Sequence, residues 1–232
     1  MRSPLRGRFG WLTARWTTVE KLARLHPAPT LLVAFLTGIV VWGGFNWSLD
    51  LANTEKFCIS CHVMEVNIYD DFKNTIHYSN RTGVRATCPD CHVPDSWVHK
   101  VVRKLGATNE LFHWVAGSIN TREKFLAKAP ELAARVWKSM EKTDSRECRN
   151  CHHIDFMSEE TQQKTAGIMH SLAAGWGMTC ITCHKGIAHK LPRGFDQYAL
   201  MDDLHLRMEN EDIDCKQCHE GMAKADPGDD WD

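Results

Sequence analysis

The pattern Cys-x-x-Cys-His occurs five times in 232 residues: CISCH (58–62), CPDCH (88–92), CRNCH (148–152), CITCH (180–184) and CKQCH (215–219). These frames use all ten cysteines, so none remains for a disulfide or a free thiol. Nothing else in the chain constrains its fold as much. Two thiols at this spacing, followed at once by histidine, attach a c-type haem: the thiols form thioethers with the vinyl groups and the histidine ligates the iron. The attachment residues are then Cys58 and Cys61, Cys88 and Cys91, Cys148 and Cys151, Cys180 and Cys183, and Cys215 and Cys218. The proximal ligands are His62, His92, His152, His184 and His219. Zinc is the competing chemistry, but it would need frames to pair up around each metal. A histidine directly after every frame fits that poorly.

The expected cofactor is haem c, at four frames and at the fifth if its short tail can cover it. Only 13 residues follow His219, and the alternative there is an unmodified remnant in a loose tail. About 180 residues around five haems leave little room for an ordinary core. The porphyrins must supply much of the buried apolar surface, and a row of irons suits electron transfer.

Each iron takes a second axial ligand, and eight histidines lie outside the frames. The first two frames start 30 residues apart and the next two 32 apart, with His77 and His170 at matching places before the second frame of each pair. This reads as a duplicated two-site unit. His77, His170 and His189 are the favoured ligands, and His205 is the best candidate for the fifth site. His99, His113 and His153 read as surface or packing residues. Met64, two residues after His62, is either a thioether ligand to the first haem or a packing side chain.

Residues 1–27 carry six Lys/Arg against one acid, while the rest holds 22 basic and 28 acidic residues. Between head and body runs PAPTLLVAFLTGIVVWGGFNWSL (27–49), without a charge. About 20 apolar residues cross a bilayer, and a basic flank stays in the cytoplasm. The alternative, a cleaved signal, is disfavoured by the length of the run and the lack of a cleavage site. The rest of the chain reads as helical: 95–117, which Gly106 interrupts; 120–142, capped by Asn120 or Thr121 and kinked or divided at Pro130; and 158–175, with Ser158 as cap and Gly175 as stop. The tail 224–232 reads as disordered.

The segments VWGGFN (41–46), NTEKFCISCH (53–62), IHYSNRTGVRATCPDCHVP (76–94), ECRNCH (147–152) and TCITCHKGIAHKLP (179–192) carry a resemblance to the NapC/NirT family of membrane-anchored multihaem cytochromes, and within it to the NapC branch. It covers about residues 30–192. The resemblance implies a protein that oxidises membrane quinol and passes electrons to a periplasmic reductase, for this branch the periplasmic nitrate reductase. It implies that Met64 ligates haem 1, His77 haem 4, His189 haem 3 and His170 haem 2. It also places quinol beside Lys104 and Glu110, which the residues alone would mark as solvated charges. Six residues on a helix turn about 240°, so these two share a face only if Gly106 breaks the helix. Some relatives have histidine where Asp95 stands, and its absence here favours Met64. The CKQCH extension is unlike a plain tetrahaem member, and the added domain of the five-haem branch is much larger.

The expected fold is mainly α with much irregular loop: one N-terminal transmembrane helix and a periplasmic multihaem cytochrome c domain. The expected divisions are 1–27 cytoplasmic, 28–49 anchor, 50–192 tetrahaem domain and 193–232 extension. The expected function is an inner-membrane, single-pass quinol dehydrogenase feeding a periplasmic reductase. The alternative is an anchored relay, without direct quinol oxidation, to a nitrite, trimethylamine N-oxide or dimethyl sulfoxide reductase. A haem sensor and a self-contained terminal reductase are further rivals. No nucleic acid is expected as partner, and homo-oligomerisation is left open.

Overall fold

A computed structural model describes residues 20–21 and 23–219. The tail 224–232 and most of the basic head lie outside them. Among the described residues there are helices and turns but no strand. The chain divides into two compact units, Met1–Ala52 and Asn53–Asp232.

The first unit is built on α1, Pro27–Leu51, opened by proline at its start. Its 25 residues extend about 37 Å at 1.5 Å per residue, enough for a bilayer core of about 30 Å. None of its residues is buried. Its polar side chains turn onto its own backbone: Asn46 Nδ2 donates to Trp42 O at 2.8 Å and Ser48 Oγ to Phe45 O at 2.7 Å. An apolar surround demands such internal satisfaction.

The second unit is held by short turns and four longer helices: α2, Trp97–Val115; α3, Arg122–Lys142; α4, Lys164–Gly175; and α5, Ala199–Asn210. Gly106 does not interrupt α2, and Pro130 lies inside an undivided α3. The Thr121 hydroxyl caps α3, accepting from Lys124 N at 3.4 Å. The expected helix over 158–175 begins only at Lys164; residues 159–161 form a separate 3₁₀ turn, and the residue before α4 is Gln163, not Ser158.

The apolar core is small. Among the described residues, the buried apolar side chains are Val63, Phe72, Phe125, Ile181 and Leu204. Between them run specific polar and aromatic ties. Arg85 Nη2 grips both Glu55 oxygens at 2.7 and 2.9 Å while its guanidinium lies 4.2 Å over the Tyr78 ring. Tyr78 meets Phe72 and Tyr69 edge-on. This joins the turn before the first frame to the segment before the second.

Ser145 makes the corresponding tie between the third and fourth frames. It is fully buried, with a left-handed backbone (φ 48°). Its carbonyl accepts from Cys148 N at 2.9 Å and its hydroxyl from Ile181 N at 3.0 Å. Ser145→Ala orphans the buried Ile181 amide, and a loss of about 1–3 kcal/mol is expected. Ser145→Gly loses the same bond but relieves the left-handed backbone, so its melting temperature is expected above that of the alanine variant. Thermal unfolding of both variants followed by circular dichroism checks the order.

Candidate functional site: a row of paired histidines

The second, third and fourth frames, and the fifth, fold alike at the histidine. His152 N bonds Cys148 O, His184 N bonds Cys180 O and His219 N bonds Cys215 O, each at 2.9 Å, while His92 ends the one-turn helix Cys88–His92. Each turn thus projects its histidine ring from a fixed base. The first frame differs: His62 opens a new turn, His62–Met64.

Four frame histidines each face one histidine from outside the frames. His77 lies against His152 with ring centroids 6.2 Å apart, and His189 against His92 at 6.2 Å. His170 lies against His184 at 6.0 Å, and His205 against His219 at 6.0 Å. The order differs from that implied by the resemblance. His77 meets the third frame rather than the fourth, His189 the second rather than the third, and His170 the fourth rather than the second. His170 reaches its own unit's frame from α4, whereas His92 is met by His189 and His77 meets His152.

These separations fit an iron between the rings. Two metal–nitrogen bonds of about 2 Å each, with the span from each nitrogen to its ring centre, come to about 6 Å. No ring-to-ring hydrogen bond joins any of the four pairs among the described residues. Burial also keeps imidazoles neutral, the form that binds metal. It lowers the pKa of His92 to about 4, with His189 and Arg103 adding to the effect, and it lowers His77, His184 and His189 as well. His170 Nδ1 lies 2.6 Å from Gln162 Oε1. As donor there, the ring leaves Nε2 bare for a metal.

The remaining histidines are occupied differently. His99 Nδ1 pairs with Ser96 Oγ at 2.7 Å and His113 Nδ1 with Ser118 Oγ at 3.0 Å. His153 packs on Phe156. His62 faces no histidine among the described residues; its ring is largely exposed, 3.7 Å from Glu65. Met64, half-buried, stands two residues on.

The cysteines set the frames in a row. None is in a disulfide. The Cys58 and Cys88 thiols lie side by side, which pulls Cys58 down to about 7 and pushes Cys88 up. Burial raises Cys91 to about 11, with the nearby Cys148 adding to it, and burial raises Cys148, with Cys180 adding. So the first frame adjoins the second, the second the third, and the third the fourth. Among the described residues no cluster of three or more His, Cys, Asp or Glu is arranged to hold a metal by itself.

Lys104 and Glu110 lie on the unbroken α2. Lys104 is half-buried beside Cys58, and burial lowers its pKa. Glu110 instead pairs with Arg103 Nη1 at 3.0 Å. Sequence reasoning missed Arg103, Gln162, Ser145 and Trp176; none stands in a recognisable motif.

Histidines paired at this distance on Cys-x-x-Cys-His frames fit a multihaem c-type cytochrome. A family model described as the NapC/NirT cytochrome c family, N-terminal region, matches residues 21–194. The chain belongs to the NapC/NirT cytochrome c family. It is 56% identical over 167 residues to the denitrification system component NirT of Stutzerimonas stutzeri, covering 72% of this chain and 83% of that one. It is 48% identical over 183 residues to the cytochrome c-type protein NapC of Escherichia coli K12, covering 79% and 92%. Against the cytochrome c-type protein TorC of the same organism it is 38% identical over 181 residues, 78% of this chain but 44% of TorC. No solved structure matches.

Gln162→Leu removes the acceptor from His170, which would weaken the ring as a donor to a bound iron. One haem is expected to move to higher potential, the others staying in place, as read by spectroelectrochemical titration.

Proposed function

We propose that this chain is a quinol dehydrogenase of the inner membrane that delivers electrons to a periplasmic reductase. The observation that carries the reading is the combination of a membrane-length apolar helix, Pro27–Leu51, with four frames that adjoin one another in sequence order. The basic head would keep the N-terminus cytoplasmic and put the haem domain in the periplasm. Residues 28–49 serve as the anchor, 50–192 as the tetrahaem domain and 193–232 as an extension.

When bound, the haems supply one-electron carriers between quinol and reductase. The chain's own residues hold them. His152 with His77, His92 with His189, and His184 with His170 would hold three of the haems. His62 would hold the first together with Met64, whose thioether would raise its potential relative to the others.

Quinol oxidation releases protons as well as electrons, so it needs polar groups beside an apolar approach. Lys104 lies next to the first frame, and its helix leaves Val98, Val102, Leu105 and Phe112 exposed. The lysine is placed to bond a quinol oxygen. Glu110, on another face and held by Arg103, takes a released proton only after that ion pair opens. The resemblance to NapC favours nitrate reductase as acceptor. The NirT relative is described as a denitrification system component, and delivery to a periplasmic reductase other than the nitrate enzyme is the alternative.

Anaerobic mixing of the detergent-solubilised protein with menaquinol and ubiquinol analogues is expected to give prompt, saturable reduction of the haem α-band. Lys104→Gln is expected to slow it about 10- to 100-fold, the worth of one hydrogen bond to a charged group. Dithionite reduction without any quinol reduction would leave an anchored relay instead. Separately, His77→Ala, His170→Ala or His189→Ala is expected to keep the covalent haem number while turning one haem high-spin, as read by electron paramagnetic resonance.

A further inference from the structure

The family match ends at residue 194, and the chain beyond it still folds around its own frame. Helix α5 buries Leu204, at 3% the least exposed apolar side chain among the described residues. The neighbouring His205 is turned outward. After α5 the chain doubles back. Asp212 takes a left-handed backbone (φ 54°) and Ile213 N bonds Met208 O at 3.0 Å, the closure typical of a helix C-terminus. Asp214 Oδ1 then accepts from Lys216 N at 3.0 Å, opening the turn Cys215–Gln217. The turn ends with the same 2.9 Å bond from the frame histidine's amide that the third and fourth frames make. The result sets His219 against His205 at 6.0 Å with the rings 24° apart. This is the separation of the other three pairs. A remnant frame in a loose tail would have no reason to meet a histidine at that distance.

The extension is also fastened. Trp176 Nε1 donates to Glu211 Oε2 at 2.8 Å, and the Arg207 guanidinium lies 4.5 Å over the Trp176 ring while bonding Glu211 at 3.1 Å. Trp176 is the residue after α4, between His170 and the fourth frame.

We propose that residues 199–219 form a fifth c-type haem site, with Cys215 and Cys218 as attachment points and His219 and His205 as axial ligands, clamped beside the fourth site by Trp176. The proposal rests on the c-type reading of the other frames. It makes the solvent-exposed last pair the outward terminus of the row.

The test uses the full chain matured with a cytochrome c assembly system. Peptide mapping and intact mass are expected to show haem on all five frames, and four haems in Cys215→Ser/Cys218→Ser. Haem on the first four frames with CKQCH bare would overturn the proposal while sparing the c-type reading; bare frames throughout would overturn that reading itself. His205→Ala is expected to keep five haems but turn one high-spin and able to bind carbon monoxide when reduced, whereas His205→Met restores a six-coordinate haem at higher potential. Five low-spin haems in His205→Ala would rule His205 out as the ligand. Trp176→Phe is expected to preserve all five low-spin haems while exposing the 193–198 segment to limited proteolysis. Unchanged cleavage would overturn the clamp.

Discussion

Everything in the haem-bearing unit depends on one recurrent contact: a frame histidine held about 6 Å from a histidine supplied by another segment. Each frame alone is a single turn, too short to persist in water. An iron bound between two such rings would make a cross-link out of two turns. With five apolar side chains buried among the described residues, the protein has little else of comparable strength. The polar ties at Glu55–Arg85 and Ser145–Ile181 orient the segments that these cross-links join.

The four pairs are of two kinds. His170 with His184 and His205 with His219 close short loops, and each is completed by a helix that precedes its own frame. His77 with His152 and His92 with His189 reach across the molecule. The long-range pairs also carry the packing that has to accompany them: His189 packs on Phe72, and Lys190 pairs with Asp71 at 2.7 Å.

What could be read from the residues follows the same division. The attachment frames and the apolar helix are local patterns with stereochemical reasons, and His77 and His170 stood out by their matching positions. Their partners did not follow. A strict duplication would give His77 to His92 as His170 goes to His184, but the structure breaks that symmetry by giving His92 to His189. Pairing order is a property of chain topology, which no local spacing reports. Lys104 and Glu110 were visible only through the resemblance. Without it nothing would separate them from other charges on a helix, and the Arg103 ion pair that occupies Glu110 needs the helix register to be seen. The late start of α4 was hidden because an acidic stretch after a serine is as good an opening for a 3₁₀ turn as for an α-helix.

The crossed pairs impose an order of assembly. A chain made from its N-terminus presents the second frame early, but the imidazole opposite His92 comes from residue 189, after the third and fourth frames have been made. His152, by contrast, finds His77 already waiting. With those rings as ligands, the second site would stay open on one side longer than its neighbours, and its closure would draw residue 189 back to the second frame. Kinetically it would be the last stitch of the four-frame unit, and a trap for any wrong ligand that reached it first.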